Sequence, residues 1–382
     1  MKRILSFLFI LIFLSACAPE QIPVPVIQGP TLALETPTAV SIKAPVVSPP
    51  DLTSIRMVDD TNGWGINDTD VLRTDDGGVT WHNVTPANTG ALGYAVITNF
   101  LDNQNGWVLV PDTKNMLVGT LYRTGDGGAT WSSFPAPFGG GVLHFIDPKQ
   151  GWMMASLGAG AGSMAVAIFQ SKDGGANWKQ TYINDPNQPG AGDSLPLGGL
   201  KDGITPIDMQ TAWVGGVTYA PGVVYLYQTQ DAGDSWKIVP VATPTGYEQA
   251  QLETLGPEYV TQAAAYLPVT LSSQNGELEA VYVSHDGGKT WAQTPTLIPF
   301  GGKMDFVSAT EGFVWTGTDF YVTKDGAQTW TTVMPDVTFG DSFSGMDFVS
   351  PTVGFVISDD ASGNRNLYKT TDGGATWNFL GK

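Results

Sequence analysis

An eight-residue box ending in tryptophan occurs seven times in this chain, and no other feature limits its fold as much. The copies read TDDGGVTW (74–81), TGDGGATW (124–131), SKDGGANW (171–178), TQDAGDSW (229–236), SHDGGKTW (284–291), TKDGAQTW (323–330) and TTDGGATW (370–377). They set Asp76, Asp126, Asp173, Asp231, Asp286, Asp325 and Asp372 at one position of the repeat. At another stand Trp81, Trp131, Trp178, Trp236, Trp291, Trp330 and Trp377. Ahead of each box a small residue precedes an aromatic marker: Trp64, Trp107, Trp152, Trp213, Tyr266, Phe313 and Phe355. From residue 52 the pattern recurs about every 47 residues, a period that signals a repeat architecture.

Each unit reads as four short strands. An apolar stretch such as VLHFID or GMDFVS comes first, and the aromatic marker opens the second strand. A run such as VYVSHDGG leads into the box, and the box Trp starts the fourth. Four-stranded units repeated seven times fit an all-β, seven-bladed β-propeller; a parallel β-helix would need shorter, more uniform rungs. The 47 glycines and 12 tryptophans, with 14% charged residues, favour strands and tight turns over helices.

The box itself is turn chemistry. Asp accepts backbone N–H bonds, Gly permits positive φ, and the Ser or Thr two residues earlier adds a hydroxyl. Seven Asp spread round a ring cannot converge on one ligand, so the boxes read as structural turns. Residue 327 is Ala where Gly78 stands in the first box, so box six is expected to be strained or differently turned.

A binding site is expected on the opposite face, where the loops vary. From each box Trp to the next aromatic marker the two longest intervals are Trp178 to Trp213 and Trp236 to Tyr266. They are adjacent, and they contain insertions at 184–199 and 243–259. Long loops on a rigid scaffold carry binding functions. The candidate residues are Asp193, Tyr247, Glu248, Glu253, Glu258 and Tyr259, with Thr245 and Glu248 spaced to cap a short helix. Glu253 and Asp193 could also pair as the carboxylates of a glycosidase, or form only a solvated acidic loop. The three histidines lie in different units without metal-ligand spacing, so neither metal nor cofactor is expected.

The N-terminus reads as an address. Lys2 and Arg3 precede the apolar run Ile4 to Leu14 and then LSAC, the pattern of an export signal over residues 1–16. Cys17 is the single cysteine, which excludes internal disulfides. Residues 17–51 form a proline-rich linker, with eight prolines between 18 and 50, and residues 52–382 form the propeller. The net charge of −18, with four arginines beyond residue 50, disfavours nucleic acid as a partner.

Three resemblances follow from these residues. LSAC resembles the lipobox of bacterial lipoproteins, which implies a lipidated Cys17, attachment to a bilayer and an extracytoplasmic location. The boxes resemble the Asp-box, or bacterial neuraminidase repeat, of sialidases and related propellers, where the box is a turn between the third and fourth strands. Sialidases clamp a sugar carboxylate with three arginines, and no arginine stands between Arg123 and Arg365. Inverting xyloglucanases, also rich in these boxes, use two propellers. The combination NGW…RTxDGGxTW over residues 52–380 resembles the photosystem II stability and assembly factor family. That resemblance implies a non-enzymatic binding or assembly scaffold for a membrane or envelope protein, and a monomer is expected. The family uses a basic patch, and this sequence shows no arginine cluster to supply one. The alternative is a carbohydrate-active or sugar-binding propeller.

Overall fold

The computed structural model describes residues 42–381 other than 91, 94, 274–275, 300–302, 340–342 and 361. The export signal, Cys17 and the linker up to residue 41 lie outside the described residues. Among the described residues there is no helix. Each repeat unit supplies an antiparallel meander of four strands. In unit two these are Ile97–Phe100, Gly106–Pro111, Gly119–Thr124 and Ser132–Ala136, paired in that order. Units four and five merge into one nine-stranded sheet. The strand Gln251–Glu253 joins them, pairing with Ala212–Val217 on one side and Ala265–Ser273 on the other. The first sheet carries a fifth strand, Val46–Val47, added outside the strand Trp81–Asn83. The folded unit therefore begins ahead of the repeat boundary at residue 52.

The small-aromatic pairs explain how neighbouring sheets pack. Four of the seven marker aromatics, Trp64, Trp107, Tyr266 and Phe313, lie flat on an aromatic from the first strand of the next unit. Trp107 stacks on Phe145 with centroids 3.8 Å apart, Tyr266 on Phe306 at 3.6 Å, and Phe313 on Phe348 at 3.6 Å. The small residue is needed because its own unit's aromatic covers it. A Cβ at Gly106 would stand 2.9 Å from the Phe100 ring, and one at Gly354 2.4 Å from Phe348.

All seven boxes share one hydrogen-bond pattern. In the first, Thr74 Oγ1 donates to Asp76 Oδ1 at 2.9 Å and accepts from Gly78 N at 2.9 Å, while Asp76 Oδ1 accepts from Thr80 N at 2.8 Å. Box six keeps this pattern, with Ala327 N donating to Thr323 Oγ1 at 2.9 Å, so it is turned like the others. Its Ala327 adopts φ 66°, and Ala232 of box four adopts φ 64°, both in the left-handed region that favours glycine. Ala232 is only half-buried. Ala232→Gly is therefore expected to stabilise the protein by about 0.5–1 kcal/mol, read as a higher denaturation midpoint. Ala327 is fully buried, and losing its packed methyl offsets the relief there.

The ring closes by contact between the first and last sheets. Leu52, Met57, Leu72 and Trp81 share a core cluster with Phe355, Ile357 and Leu367. Lys369 Nζ reaches across to the carbonyl of Asp60 at 2.9 Å.

Candidate functional site

The two insertions meet the loops that join second and third strands, and together they build one surface. Gly199 N donates to Gly162 O at 2.8 Å and Met164 N to Leu197 O at 3.0 Å, seating the 184–199 insertion on the turn of unit three. Asn184 pins the same insertion from below: its Nδ2 donates to the carbonyls of Leu195 and Pro196, each at 3.3 Å. Lys201 is buried, and its Nζ donates to the carbonyls of Met164, Leu197, Gly198 and Gly199 at 2.9–3.2 Å. Burial pulls its ammonium down to about 8. The second insertion rests on the loop of unit four, with Gly222 N donating to Ala250 O at 2.8 Å and Thr243 Oγ1 to Gly222 O at 2.5 Å.

The helix expected in that insertion does not form. Gly246 takes φ 88°, which no helix contains, and Glu248 turns its Oε1 back to Gly246 N at 3.0 Å. The chain makes turns from Pro244 to Ala250 and then enters the strand Gln251–Glu253. Large apolar side chains stand exposed on this surface: Leu197, Tyr219, Val223 and Leu255.

The structure separates the six candidate residues. Asp193 is exposed on one insertion; Tyr247, half-buried, and Glu248, exposed, lie on the other. Glu253 is exposed, and the carboxylates that face it are Asp202 and Glu277 rather than Asp193. Glu258 and Tyr259 belong to neither insertion surface, because they form the first strand of unit five. Tyr259 packs against Trp213 with centroids 5.2 Å apart and donates from its hydroxyl to Gly287 O at 3.1 Å, a structural place like that of Phe306 in the next unit.

Glu258 belongs to a ring that residue-by-residue reading passed over. Arg56, Asn99, His144, Thr205, Glu258, Asp305 and Asp347 each sit opposite the aromatic marker of their own unit. Each precedes that marker by eight residues, a fixed spacing that a comparison of the units would have exposed. Four of them accept a backbone N–H from the following unit round the ring. Asn99 takes Phe145 N at 3.0 Å, Glu258 takes Phe306 N at 3.4 Å, and Asp305 takes Phe348 N at 2.5 Å. Asp347 takes Met57 N and also pairs with Arg56 at 3.2 Å, so this chain of bonds crosses the seam. Burial pushes Glu258 up to about 7 and raises Asp305 and Asp347, each against the pull of Arg56. Burial holds His144 down to about 4, so it stays neutral.

These raised carboxyls carry a sign for stability. Folded Glu258 holds its proton above the ordinary 4.5, so between about 4.5 and about 7 the folded state binds more protons than the unfolded. Stability is then fullest below that window and falls as pH rises through it. The melting temperature is expected to drop between pH 5 and pH 8, and Glu258→Gln to flatten the drop. A Glu258→Gln profile parallel to the parent's would refute this account.

Comparison with known proteins supplies a family context. The BNR/Asp-box repeat model matches residues 282–293, the fifth box. The photosystem II assembly lipoprotein Ycf48 of Synechococcus sp. (strain CC9902) is 21% identical over 290 residues, covering 73% of this chain and 74% of that protein. The solved structure of YCF48 bound to D1 peptide superposes with TM-score 0.54 at 18% identity, covering 86% of this chain and 95% of the other. The chain is an Asp-box β-propeller resembling the photosystem II assembly factors.

A xyloglucanase from Paenibacillus sp. is also similar, 25% identical over 350 residues; the match covers 78% of this propeller's chain but 31% of the enzyme's length. The arginines of this propeller do not gather. Arg73 is buried over the Trp64 ring, 4.4 Å from its centroid, and Arg123 lies over Trp107 and reaches the Asp173 carbonyl at 3.3 Å. Arg56 serves the ring, and Arg365 stands 3.8 Å from Asp51 and 3.5 Å from Asp68.

Proposed function

We propose that this protein is a non-enzymatic scaffold that binds a segment of a membrane or envelope protein, tethered to the outer side of a membrane through a lipidated Cys17. One observation carries the reading: two insertions are held rigidly on one surface, and that surface exposes Leu197, Tyr219, Val223 and Leu255 together. Exposed apolar side chains on a fixed surface are the mark of a protein-binding site. The similarity to an assembly lipoprotein, and to a propeller solved with a peptide, supports the same class of partner.

The test compares the intact lipoprotein with a copy shortened at 184–199 and 243–257, each used as bait in solubilised membranes. A membrane protein retained by the first and lost from the second is expected. A bait that enriches no protein, but holds to a polysaccharide column through the same loops, would replace this reading with the carbohydrate-binding one suggested by the xyloglucanase similarity.

A further inference from the structure

We infer that the carboxylates on the fused sheet form a receptor for an arginine or lysine side chain of the bound partner, an inference that rests on the scaffold reading. Glu253, Thr270 and Glu279 stand side by side on three neighbouring strands, and Gln251, Ser272 and Glu277 form the next row. Residues directly opposite across such strands share a face. The hydroxyls bear this out, with Thr270 Oγ1 donating to Glu279 Oε2 at 2.9 Å and Ser272 Oγ to Glu277 Oε1 at 3.2 Å. Asp202 joins from the strand Leu200–Pro206, at a bulge between Lys201 and Gly203, close enough for its charge to act on Glu253.

Two features say that this is more than a solvated acidic patch. Glu279 is 0% exposed and its Oε1 has no hydrogen-bond partner; the buried Oδ2 of Asp202 has none either. Among the described residues no cation forms an ion pair with the cluster, although the charge of Lys201 acts on Asp202. Lys201, the neighbour of Asp202 in sequence, turns its ammonium to four carbonyls instead. Burial first, and then the charges of Glu253 and Glu277, push Glu279 up to about 8, a balance that a cation seated beside it would reverse.

The geometry favours a basic side chain over a metal ion. Among the described residues no three such groups are placed to hold a metal. Glu277 and Glu279 stand two residues apart on the strand Gly276–Ser284, about 7 Å at the backbone, so their carboxyls can close on the forked donors of one guanidinium, with Glu253 facing them across Thr270. Leu255, 65% exposed and two residues beyond Glu253, offers apolar surface to the methylene stem of such a side chain.

The test uses surface plasmon resonance on the full mature chain. The probes are an end-blocked Arg-Leu-Arg-Leu-Arg-Leu peptide and its counterpart with citrulline, the neutral isostere, at each arginine. Glu253→Gln/Glu277→Gln is compared with Asp60→Asn/Asp234→Asn, which removes the same charge from exposed sites elsewhere. The site pair, and the citrulline peptide on the parent protein, are expected to bind about tenfold more weakly or worse, while the control pair changes less than about twofold. Equal weakening by both pairs, equal binding of the citrulline peptide, or no binding of the arginine peptide overturns the inference. The membrane pull-down repeated with Glu253→Gln/Glu277→Gln separates the two readings: a partner retained undiminished sinks the receptor and leaves the scaffold standing.

Discussion

Trp107→Ala is expected to destabilise the propeller by about 4 kcal/mol, the cost of emptying a large aromatic site from a packed core. Trp107 is 0% exposed. Its ring lies 3.8 Å from Phe145 and nearly parallel to it, with an interplanar angle of 4°. Its Nε1 donates to Gly174 O of the next unit's box at 3.0 Å, so alanine also strips a buried carbonyl of its partner. The void would open between the second and third sheets, where the backbones are held apart by their own hydrogen-bonded meanders and cannot collapse far. Trp107→Phe keeps the stack and gives up the indole N–H, so a smaller loss is expected. Urea denaturation of the three proteins checks this, and a Trp107→Ala loss below about 1 kcal/mol would show that the sheets do not depend on these stacks.

Asp347→Ala is expected to lower stability by about 2 kcal/mol, the desolvation penalty of a buried donor left without an acceptor. The donor is the N–H of Met57, a residue 0% exposed, and the contact lies on the seam between the last sheet and the first. The same change frees Arg56, whose Nη1 stands 3.2 Å from Asp347. A second effect opposes the first. Asp347 shares the ring with Glu258 and Asp305, and its charge is among those that raise both. Removing it relieves that repulsion where the carboxyls are ionised, so the loss should be larger at pH 5 than at pH 8. Asp347→Asn keeps an oxygen for Met57 N and should be close to neutral at the lower pH. Melting curves of both variants at the two pH values decide the point. Equal losses for Ala and Asn would mean that the seam is held by the surrounding apolar cluster and not by this bond.

Other parts of the molecule were legible to different degrees. The box turns follow from local chemistry alone, since Asp, Gly and a hydroxyl within five residues satisfy one another wherever the chain goes. Box four carries an alanine too, one position earlier than box six: Ala232 stands where Gly77 stands in the first box and takes nearly the same positive φ as Ala327. The insertions could be located from interval lengths, but the expected helix gave way to a strand. The chain instead found open partners in Val217 on one side and Ser272, Leu271 and Thr270 on the other. Glu258 and Tyr259 were drawn into the candidate surface by nearness in sequence, yet the chain has already entered the next unit when it reaches them.

The sequence by itself determined the repeat, the four-stranded meander within it and the turn that ends each third strand, because these depend on contacts a few residues apart. Only the tertiary structure decided which charges meet. Arg56 and Asp347 lie at opposite ends of the repeat array and become neighbours at the seam. Asp202, Glu253 and the pair Glu277 and Glu279 come from three separate strands and are brought together because the second insertion pairs with two sheets at once. Electrostatic and hydrogen-bond partners of this kind are set by strand register and by the closing of the ring, and a list of residues carries neither.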